Sequence, residues 1–250
     1  MNEVIRQMME RKSVRAYEDR PIEPEKKELI LQAAIEAPTA GNLSLYTILD
    51  ITDPEKRRIL SETCDHQPFI AQAPLFLIFA ADYQRWFDAF RLVSRKAHVP
   101  GQGDLMIACS DALIAAQNAV SAAWSLGIGS CYIGDILEHY EEHRELLSLP
   151  PYVFPVTAVC FGYPTRQQKE RRKPARFDRR FLVRENAYHR MSEGELEEML
   201  GARRKQEGKE VEGTQREVEA LLKRKWEAAF SREMNRSAAE MIALWGREDV

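Results

Sequence analysis

Three basic side chains and a hydroxyl lie within five consecutive positions near the start of the chain. The segment is Glu10-Arg11-Lys12-Ser13-Val14-Arg15-Ala16-Tyr17, and it follows a short amphipathic stretch. Guanidinium groups donate paired, charge-assisted hydrogen bonds to phosphate oxygens, and a serine hydroxyl adds another donor. The segment is therefore a candidate anion site, with a solvated basic turn as the alternative interpretation.

A second basic cluster lies far along the chain and contains Lys173 and Arg176. If the fold brings the two clusters together, Arg11 and Arg15 join these two residues around one anion. That is more positive charge than a solvated surface turn requires. A phosphorylated cofactor is the simplest ligand that accounts for such a site.

Motifs of several other catalytic classes do not fit this sequence. His139 and His143 are one helical turn apart, but no third metal ligand accompanies them, so we expect a solvated helix face and no metal. Gly127-x-Gly129 lacks the third glycine of a dinucleotide fingerprint, and it follows a helix instead of opening one. Neither a Gly-Lys-Ser/Thr phosphate loop nor a Gly-x-Ser-x-Gly nucleophile motif occurs. The sequence thus predicts neither a Rossmann domain nor a nucleophilic triad.

Composition limits the class of protein and its surroundings. The 250 residues carry a formal net charge of −3, which argues against nucleic-acid binding. Cys64, Cys109, Cys131 and Cys160 are widely spaced and are expected to be reduced thiols. The longest apolar run, residues 73–81, is too short to span a bilayer, and the first residues do not form a secretion signal. We therefore expect a soluble cytoplasmic protein with no membrane partner.

Helices and strands that could position these residues follow from apolar periodicity and from proline signals. Helices are predicted at residues 4–11, 24–37, 53–60, 82–99, 104–126 and 138–149, and strands at 46–51, 74–81, 130–134 and 154–161. The alanine-rich helix at 104–126 is expected to be the central scaffold. The small residues at 38–42 form a turn that lets a ligand approach the backbone closely.

Six segments of the chain, taken in order, resemble the motifs of a known family. They are Arg11-Lys12-Ser13-Val14-Arg15, Pro38-Thr39-Ala40-Gly41-Asn42, Gln67, Gly127-Ile128-Gly129-Ser130-Cys131-Tyr132-Ile133-Gly134, Gly162-Tyr163-Pro164 and Lys173-Pro174-Ala175-Arg176. Their order is similar to that of the FMN-dependent nitroreductase and flavin reductase superfamily, especially its NADPH-preferring, oxygen-insensitive branch. The resemblance covers residues 1–190. It implies an α+β nitroreductase-like fold, with a central antiparallel-dominated mixed sheet flanked by helices, in an intertwined homodimer.

The resemblance also implies which residues hold FMN. The opening motif assigns Arg11 and Ser13, with Lys12 between them, to the phosphate and ribityl chain, and Arg15 to the pyrimidine edge of the ring. The further implied contacts are Thr39, Gly41 and Asn42 from the other subunit, then Gln67, the backbone of Ile133 and Gly134, and the phosphate pair Lys173 and Arg176. Two positions depart from the family pattern. Ser44 stands where a glutamine is usual, and Ala175 interrupts Lys-Pro-Arg, so Arg171 or Arg172 is an alternative to Arg176.

The implied function is an FMN-dependent NAD(P)H oxidoreductase that reduces nitroaromatics, quinones or free flavin by ping-pong hydride transfer. In this family the flavin carries the chemistry, so no side chain is assigned as a catalytic acid or base. The alternatives are a specialised flavin enzyme of the same fold, such as a dehalogenase or a flavin-fragmenting enzyme, and a flavin-binding protein without turnover. We expect residues 1–190 to form the FMN-binding domain. Residues 191–250 are expected to be a charged helical extension that packs on the partner subunit.

Overall fold

The computed structural model describes residues 1–247. The chain forms two compact units: the first contains Met1–Arg171 together with the chain from Arg232 onward, and the second is Arg172–Ser231. These boundaries differ from the predicted division into residues 1–190 and 191–250, which stays a prediction.

The first unit is built on a four-stranded sheet with the strand order β1-β2-β4-β3. The strands are β1 Tyr46–Asp50, β2 Leu75–Asp82, β3 Gly129–Ile133 and β4 Val153–Gly162. All three strand pairs are antiparallel, and Cys131 on β3 lies opposite Cys160 on β4. A parallel bridge joins Ser13 to Ser130 at the outer edge of β3. The predicted antiparallel-dominated mixed sheet is confirmed.

Helices occupy both faces of this sheet and continue into the second unit. They are α1 Glu3–Glu10, α2 Pro24–Ile35, α3 Pro54–Thr63, α4 Phe69–Gln72, α5 Gln84–Val93, α6 Gln102–Ser125, α7 Tyr140–Leu147, α8 Arg166–Glu170, α9 Arg179–Leu182, α10 Glu193–Gln206, α11 Thr214–Leu221 and α12 Ala229–Ala243. Proline opens α2 and α3, because its missing N–H would have no partner in the first turn anyway. The predicted helices and strands up to residue 161 are confirmed with shifted ends, the largest shift being in α5, which ends at Val93 and not at residue 99. The short helix α4 was not predicted.

Two cores lie on opposite faces of the sheet. Leu77 and Phe79 of β2 pack with residues of α2 and α6, while Phe76 and Ile78 pack with residues of α3, α4 and the chain around α7. Every residue of β2 is buried, because the strand lies between β1 and β4 with a helical layer on each side. This position explains the continuous apolar run in its sequence.

The 24-residue helix α6 is the scaffold that the sequence predicts. Its alanines, among them Ala112, Ala115 and Ala119, lie in the core beside α2 and the sheet. Among the described residues, α6 is the one helix long and apolar enough to cross a membrane by length and composition alone. The prediction of no membrane partner, which rested on the short apolar run at residues 73–81, stays a prediction. Packing of α6 against α2 and the sheet is typical of the core helix of a globular fold.

The end of the chain returns to the first unit. Met241 and Trp245 are buried with Leu105 and Phe154, and the Tyr152 hydroxyl donates to the Arg247 carbonyl at 2.8 Å. The second unit contains α9, α10 and α11, and inside it Arg204 donates to the Glu217 carboxylate and to the Glu210 carbonyl. The prediction that residues 191–250 pack on a partner subunit stays a prediction.

Candidate functional site

The basic segment after α1 lies along the outer edge of β3. The Val14 amide donates to the Ser130 carbonyl at 2.9 Å, next to the bridge between Ser13 and Ser130. Glycine is needed at position 129, because a Cβ there would lie 2.6 Å from Cγ2 of Val14. This close pairing fixes the backbone between Arg11 and Arg15 against the sheet, so its cations have defined positions.

Two buried polar atoms at this edge have no hydrogen-bond partner among residues 1–247. They are Nη1 of Arg11 and Oγ of Ser130. A buried unpaired donor costs about 1–3 kcal/mol, so such atoms call for a ligand or another partner. Arg11 also lines a cleft of about 280 Å³ between α1 and α6, together with Gln117 and Ser121. An anionic group in this cleft would give Arg11 Nη1 the acceptor that it lacks, so the residues present fit a phosphate.

Three of the predicted FMN residues meet at the Cys131 thiol. Burial raises the pKa of this thiol, while the charge of Arg15, its hydrogen bonds with Arg15 and Ser13, and the charge of Arg11 lower it. The raised pKa keeps the thiol neutral at ordinary pH. The charge of the site is therefore set by the two guanidinium groups.

Lys12 and Arg171 tie the basic segment to the chain that follows β4. Lys12 Nζ donates to the Lys169 carbonyl at 2.8 Å and to the Arg171 carbonyl. Arg171 Nη2 donates in return to the Ser13 carbonyl at 2.5 Å. Of the two predicted alternatives to Arg176, Arg171 is thus the one that the structure brings to the opening segment. Arg172 donates to the Gln206 carbonyl at 2.7 Å within the second unit.

The predicted phosphate pair, Lys173 and Arg176, belongs to the second unit. Lys173 is half-buried and has an interaction partner, and the exposed Arg176 donates through Nη1 to the Pro174 carbonyl at 3.4 Å. Their role at a phosphate stays a prediction, as does the convergence of the two basic clusters.

The other end of β3 carries the predicted ring contacts. Ile133 ends the strand and is buried, and the exposed Gly134 leads into a 3₁₀ turn that begins at Asp135. Gln67 Nε2 donates to Asp135 Oδ2 at 2.8 Å, which places Gln67 beside this turn. Ser130 and Gly134 are about 13 Å apart along the strand. An extended ligand with an anionic end and an aromatic end can reach both.

A buried aspartate of α6 holds the turn at residues 39–45. The Thr39 hydroxyl and the amides of Ala40 and Leu45 donate to the Asp111 carboxylate, the two amides at 3.0 and 3.2 Å. Asp111 is only 3% exposed, and its bond with the Leu45 amide is buried, while those with Thr39 and Ala40 are partly buried. The Thr39 side chain is engaged inside the turn, and its predicted contact with FMN stays a prediction.

The exposed part of this turn is Gly41 and Asn42, whose φ angles are +57° and +59°. Glycine tolerates this left-handed conformation without strain, and asparagine adopts it more readily than most residues. Along α6, Asp111 lies six residues, or about 9 Å, from Gln117 of the Arg11 cleft and ten residues, or about 15 Å, from Ser121. Residues 39–42 are not among the described residues that line this cleft.

The expectation of a solvated helix face is wrong for His143, because this histidine points into the protein and is only 1% exposed. Its Nδ1 lies 3.1 Å from the Ile136 carbonyl and its Nε2 lies 2.7 Å from Thr63 Oγ1. Burial lowers the pKa of His143 to about 4. The neutral ring donates from Nδ1 and accepts from Thr63. No group of three or more His, Cys, Asp or Glu side chains within residues 1–247 is placed to hold a metal ion.

Sequence reasoning missed Asp111 and Asp135. Asp111 had a usable signal, because a lone acid on the apolar face of an alanine-rich helix must find hydrogen-bond donors when it is buried. Asp135 follows Gly134 directly, and no local pattern marks it as a partner of Gln67.

Comparison with known proteins identifies the family. The family model described as Nitroreductase family matches residues 8–163. An FMN reductase (NAD(P)H) of Bacillus subtilis is 37% identical over 177 residues, which cover 70% of this chain and 71% of that protein. An oxygen-insensitive NADPH nitroreductase of Salmonella typhimurium is 32% identical over 193 residues, covering 77% and 78%. The chain belongs to the nitroreductase family.

Solved structures share the whole fold. B. megaterium NfrA2 superimposes with a TM-score of 0.78 at 31% identity, covering 95% of this chain and 98% of that one. The NADPH:FMN oxidoreductase of Vibrio harveyi, complexed with NAD+, gives a TM-score of 0.75 at 26% identity with the same coverage. The predicted α+β nitroreductase-like fold is confirmed.

Proposed function

We propose that this protein is an FMN-dependent NAD(P)H oxidoreductase that reduces free flavin, quinones or nitroaromatics. The observation that carries the proposal is the buried, unpaired Nη1 of Arg11, in the segment that pairs with the edge of a nitroreductase-family sheet. Relatives named as an FMN reductase and as an NADPH nitroreductase support the same reaction class.

The residues at the edge of β3 have distinct roles in this proposal. Arg11 and Ser13 bind the phosphate and ribityl chain, and Arg171 holds the backbone of Ser13 in place. Arg15 lies beside the pyrimidine edge of the ring, where its charge stabilises the negative charge that develops on reduction. FMN supplies the hydride chemistry when bound, so the protein need not provide a catalytic acid or base.

Further contacts of the cofactor complete the proposal. Gln67 and the backbone of Ile133 and Gly134 meet the ring, at the end of β3 opposite the phosphate. Lys173 and Arg176 remain the proposed phosphate pair of the second unit. A small-molecule electron acceptor takes the position that NAD(P)H leaves.

Exposed apolar side chains support a homodimer. Val4 and Met8 on α1, and Met106 and Leu113 on the neighbouring α6, are all exposed, Met106 by 68%. Apolar side chains of this number on adjacent helices are typical of a surface buried between subunits. A second copy bound there offers its turn at residues 39–42 to the Arg11 cleft of the first copy. The two sites of the dimer are thus shared between the subunits.

We place the enzyme in the cytoplasm. The four cysteines are free thiols, and three of them are buried. Cys131 and Cys160 lie opposite each other on neighbouring strands, yet both remain free thiols. Free thiols are typical of a reducing compartment.

Steady-state kinetics test the proposed function. The protein is reconstituted with FMN, and the oxidation of NADPH and of NADH is followed with free FMN, a benzoquinone or a nitrofuran as acceptor. We expect turnover with at least one acceptor and parallel double-reciprocal lines, because the two substrates occupy one position in succession. Bound FMN without turnover, or lines that intersect, would contradict the proposal.

A further inference from the structure

The side-chain amide of Gln67 is held in one orientation by two hydrogen-bond acceptors. Its Nε2 donates to the Cys64 carbonyl and to Asp135 Oδ2, each at 2.8 Å. A primary amide has two N–H donors, so both are engaged inside the protein. The Cys64 contact defines which way the amide faces, because a backbone carbonyl only accepts hydrogen bonds and would repel the amide oxygen.

The backbone of Gln67 is fixed as well. Its amide donates to the Ser61 carbonyl at 2.8 Å, and its carbonyl accepts from the Ser61 hydroxyl at 3.0 Å. The two preceding residues, Asp65 and His66, have left-handed φ angles of +58° and +50°. Residues other than glycine rarely adopt this conformation, and their surroundings must hold them in it. The end of α3 therefore carries Gln67 in a defined position beside the turn after β3.

One polar atom of the Gln67 side chain, Oε1, has no hydrogen-bond partner within residues 1–247. Gln67 is half-buried, and Oε1 does not belong to the buried polar atoms that lack a partner, so it is open to a ligand. An amide oxygen accepts hydrogen bonds and cannot donate them. Gln67 therefore offers a ligand an acceptor only.

We propose that Asp135 positions the side-chain amide of Gln67 so that Oε1 accepts a hydrogen bond from N3–H of the FMN ring. This inference rests on the proposed function, in which Gln67 contacts the ring. Oxidised isoalloxazine has one N–H donor, N3–H, which lies between the ring oxygens O2 and O4. Arg15, proposed at the same edge, can only donate, so it serves a ring oxygen and leaves N3–H to Gln67. Asp135 acts through Gln67 and is a positioning residue.

The first test changes the ligand and starts from the wild type. Equilibrium titrations by flavin fluorescence compare FMN with 3-methyl-FMN, in which a methyl group replaces the hydrogen on N3. We expect the wild type to bind the analogue at least about tenfold more weakly, because Oε1 loses its donor. The methyl group also adds bulk, so the same ratio is measured in Gln67→Met. There it should fall to about threefold or less, because no hydrogen bond is lost.

The second test removes the acceptor that orients the amide. Asp135→Ala and Asp135→Asn both replace the carboxyl group, but asparagine keeps a side-chain oxygen that can accept from Gln67. We expect FMN to bind about threefold to tenfold more weakly to Asp135→Ala than to Asp135→Asn. In a Gln67→Met background the two substitutions should give equal affinities, because the amide that they orient differently is gone. Unfolding temperatures without FMN establish that each variant is folded.

The outcomes separate this inference from the proposed function. An equal preference for FMN over 3-methyl-FMN in wild type and Gln67→Met would overturn the hydrogen bond from N3–H. Equal affinities of Asp135→Ala and Asp135→Asn, or a difference that persists in the Gln67→Met background, would overturn the positioning role. In each of these cases the wild type still binds FMN, and the proposed function stands. Failure of the wild type to bind FMN would overturn the proposed function as well.

Discussion

The amide of Ala40, in the turn before β1, donates a hydrogen bond of 3.0 Å to Asp111 Oδ1 on α6. This bond and those from Thr39 and Leu45 fasten a loop with left-handed residues to the central helix of the fold. The loop that is proposed to contact the FMN of the neighbouring subunit is thus anchored to the central helix of its own chain.

Replacing Asp111 should therefore destabilise the protein. Asp111→Ala removes the acceptor of one buried donor, the Leu45 amide, and of two partly buried ones on Thr39 and Ala40, so we expect the free energy of unfolding to fall by about 3 kcal/mol. Ser110→Ala is the matched control, because Ser110 is exposed on the same helix and its hydroxyl donates to the Met106 carbonyl one turn earlier. Urea unfolding measures both variants. Equal stability of the two would contradict the role given to Asp111.

Arg11 should contribute strongly to FMN affinity. Arg11→Ala removes a charged donor from the phosphate, and we expect FMN to bind about 10- to 100-fold more weakly. Arg6→Ala is the control, because Arg6 is exposed on α1 and pairs with Glu3 and Glu10. Isothermal titration with FMN measures the affinities. Unchanged affinity in Arg11→Ala would reject its assigned role.

Arg171 and Arg172 are adjacent but should differ in their effect on FMN. Arg171→Ala frees the Ser13 carbonyl and loosens the opening segment, so we expect an affinity loss of about threefold to tenfold. Arg172→Ala removes a bond within the second unit and should leave the affinity close to that of the wild type. The same titration compares them, and a larger loss in Arg172→Ala would reverse the assignment.

Stability should fall in mild acid because of His143. Its pKa in the folded protein, about 4, lies below the ordinary value of 6.5. Between these values the unfolded chain binds more protons than the folded one, so stability decreases as the pH falls from 6.5 towards 4, by up to about 3 kcal/mol. His143→Gln should flatten this part of the profile, whereas His98→Gln, at an exposed position, should not. Denaturant unfolding at several pH values measures the free energy of unfolding of the three proteins. If this free energy depends on pH equally in all three, His143 is not the cause of the loss in acid.

The exposed apolar face of α6 should be required for dimer formation. Leu113→Glu puts a charge into the proposed subunit interface, so we expect the protein to become monomeric. Leu29→Glu is the control, because Leu29 is equally apolar and exposed but lies on α2. Light scattering after size-exclusion chromatography gives the masses. A dimer that persists in Leu113→Glu would place the interface elsewhere.

Local sequence signals predicted the elements well but not their side-chain partners. Pro24 and Pro54 mark helix starts, and the apolar run of β2 follows from burial on both faces, so these features could be read from neighbouring residues. The bond between Thr39 and Asp111 joins residues 72 positions apart, and that between Gln67 and Asp135 joins residues 68 apart. Such pairs are set by how helices and strands pack together. No periodicity or motif within one segment encodes them.

The central claim is that this chain uses FMN to pass electrons from NAD(P)H to a small acceptor. The most direct measurement is the visible spectrum of the FMN-loaded protein under anaerobic conditions, before and after one equivalent of NADPH or NADH, and again after a quinone. We expect the flavin absorbance to bleach with one of the two nucleotides and to return with the quinone. A yellow protein whose spectrum neither nucleotide changes, or a protein that retains no flavin after gel filtration, would contradict the account.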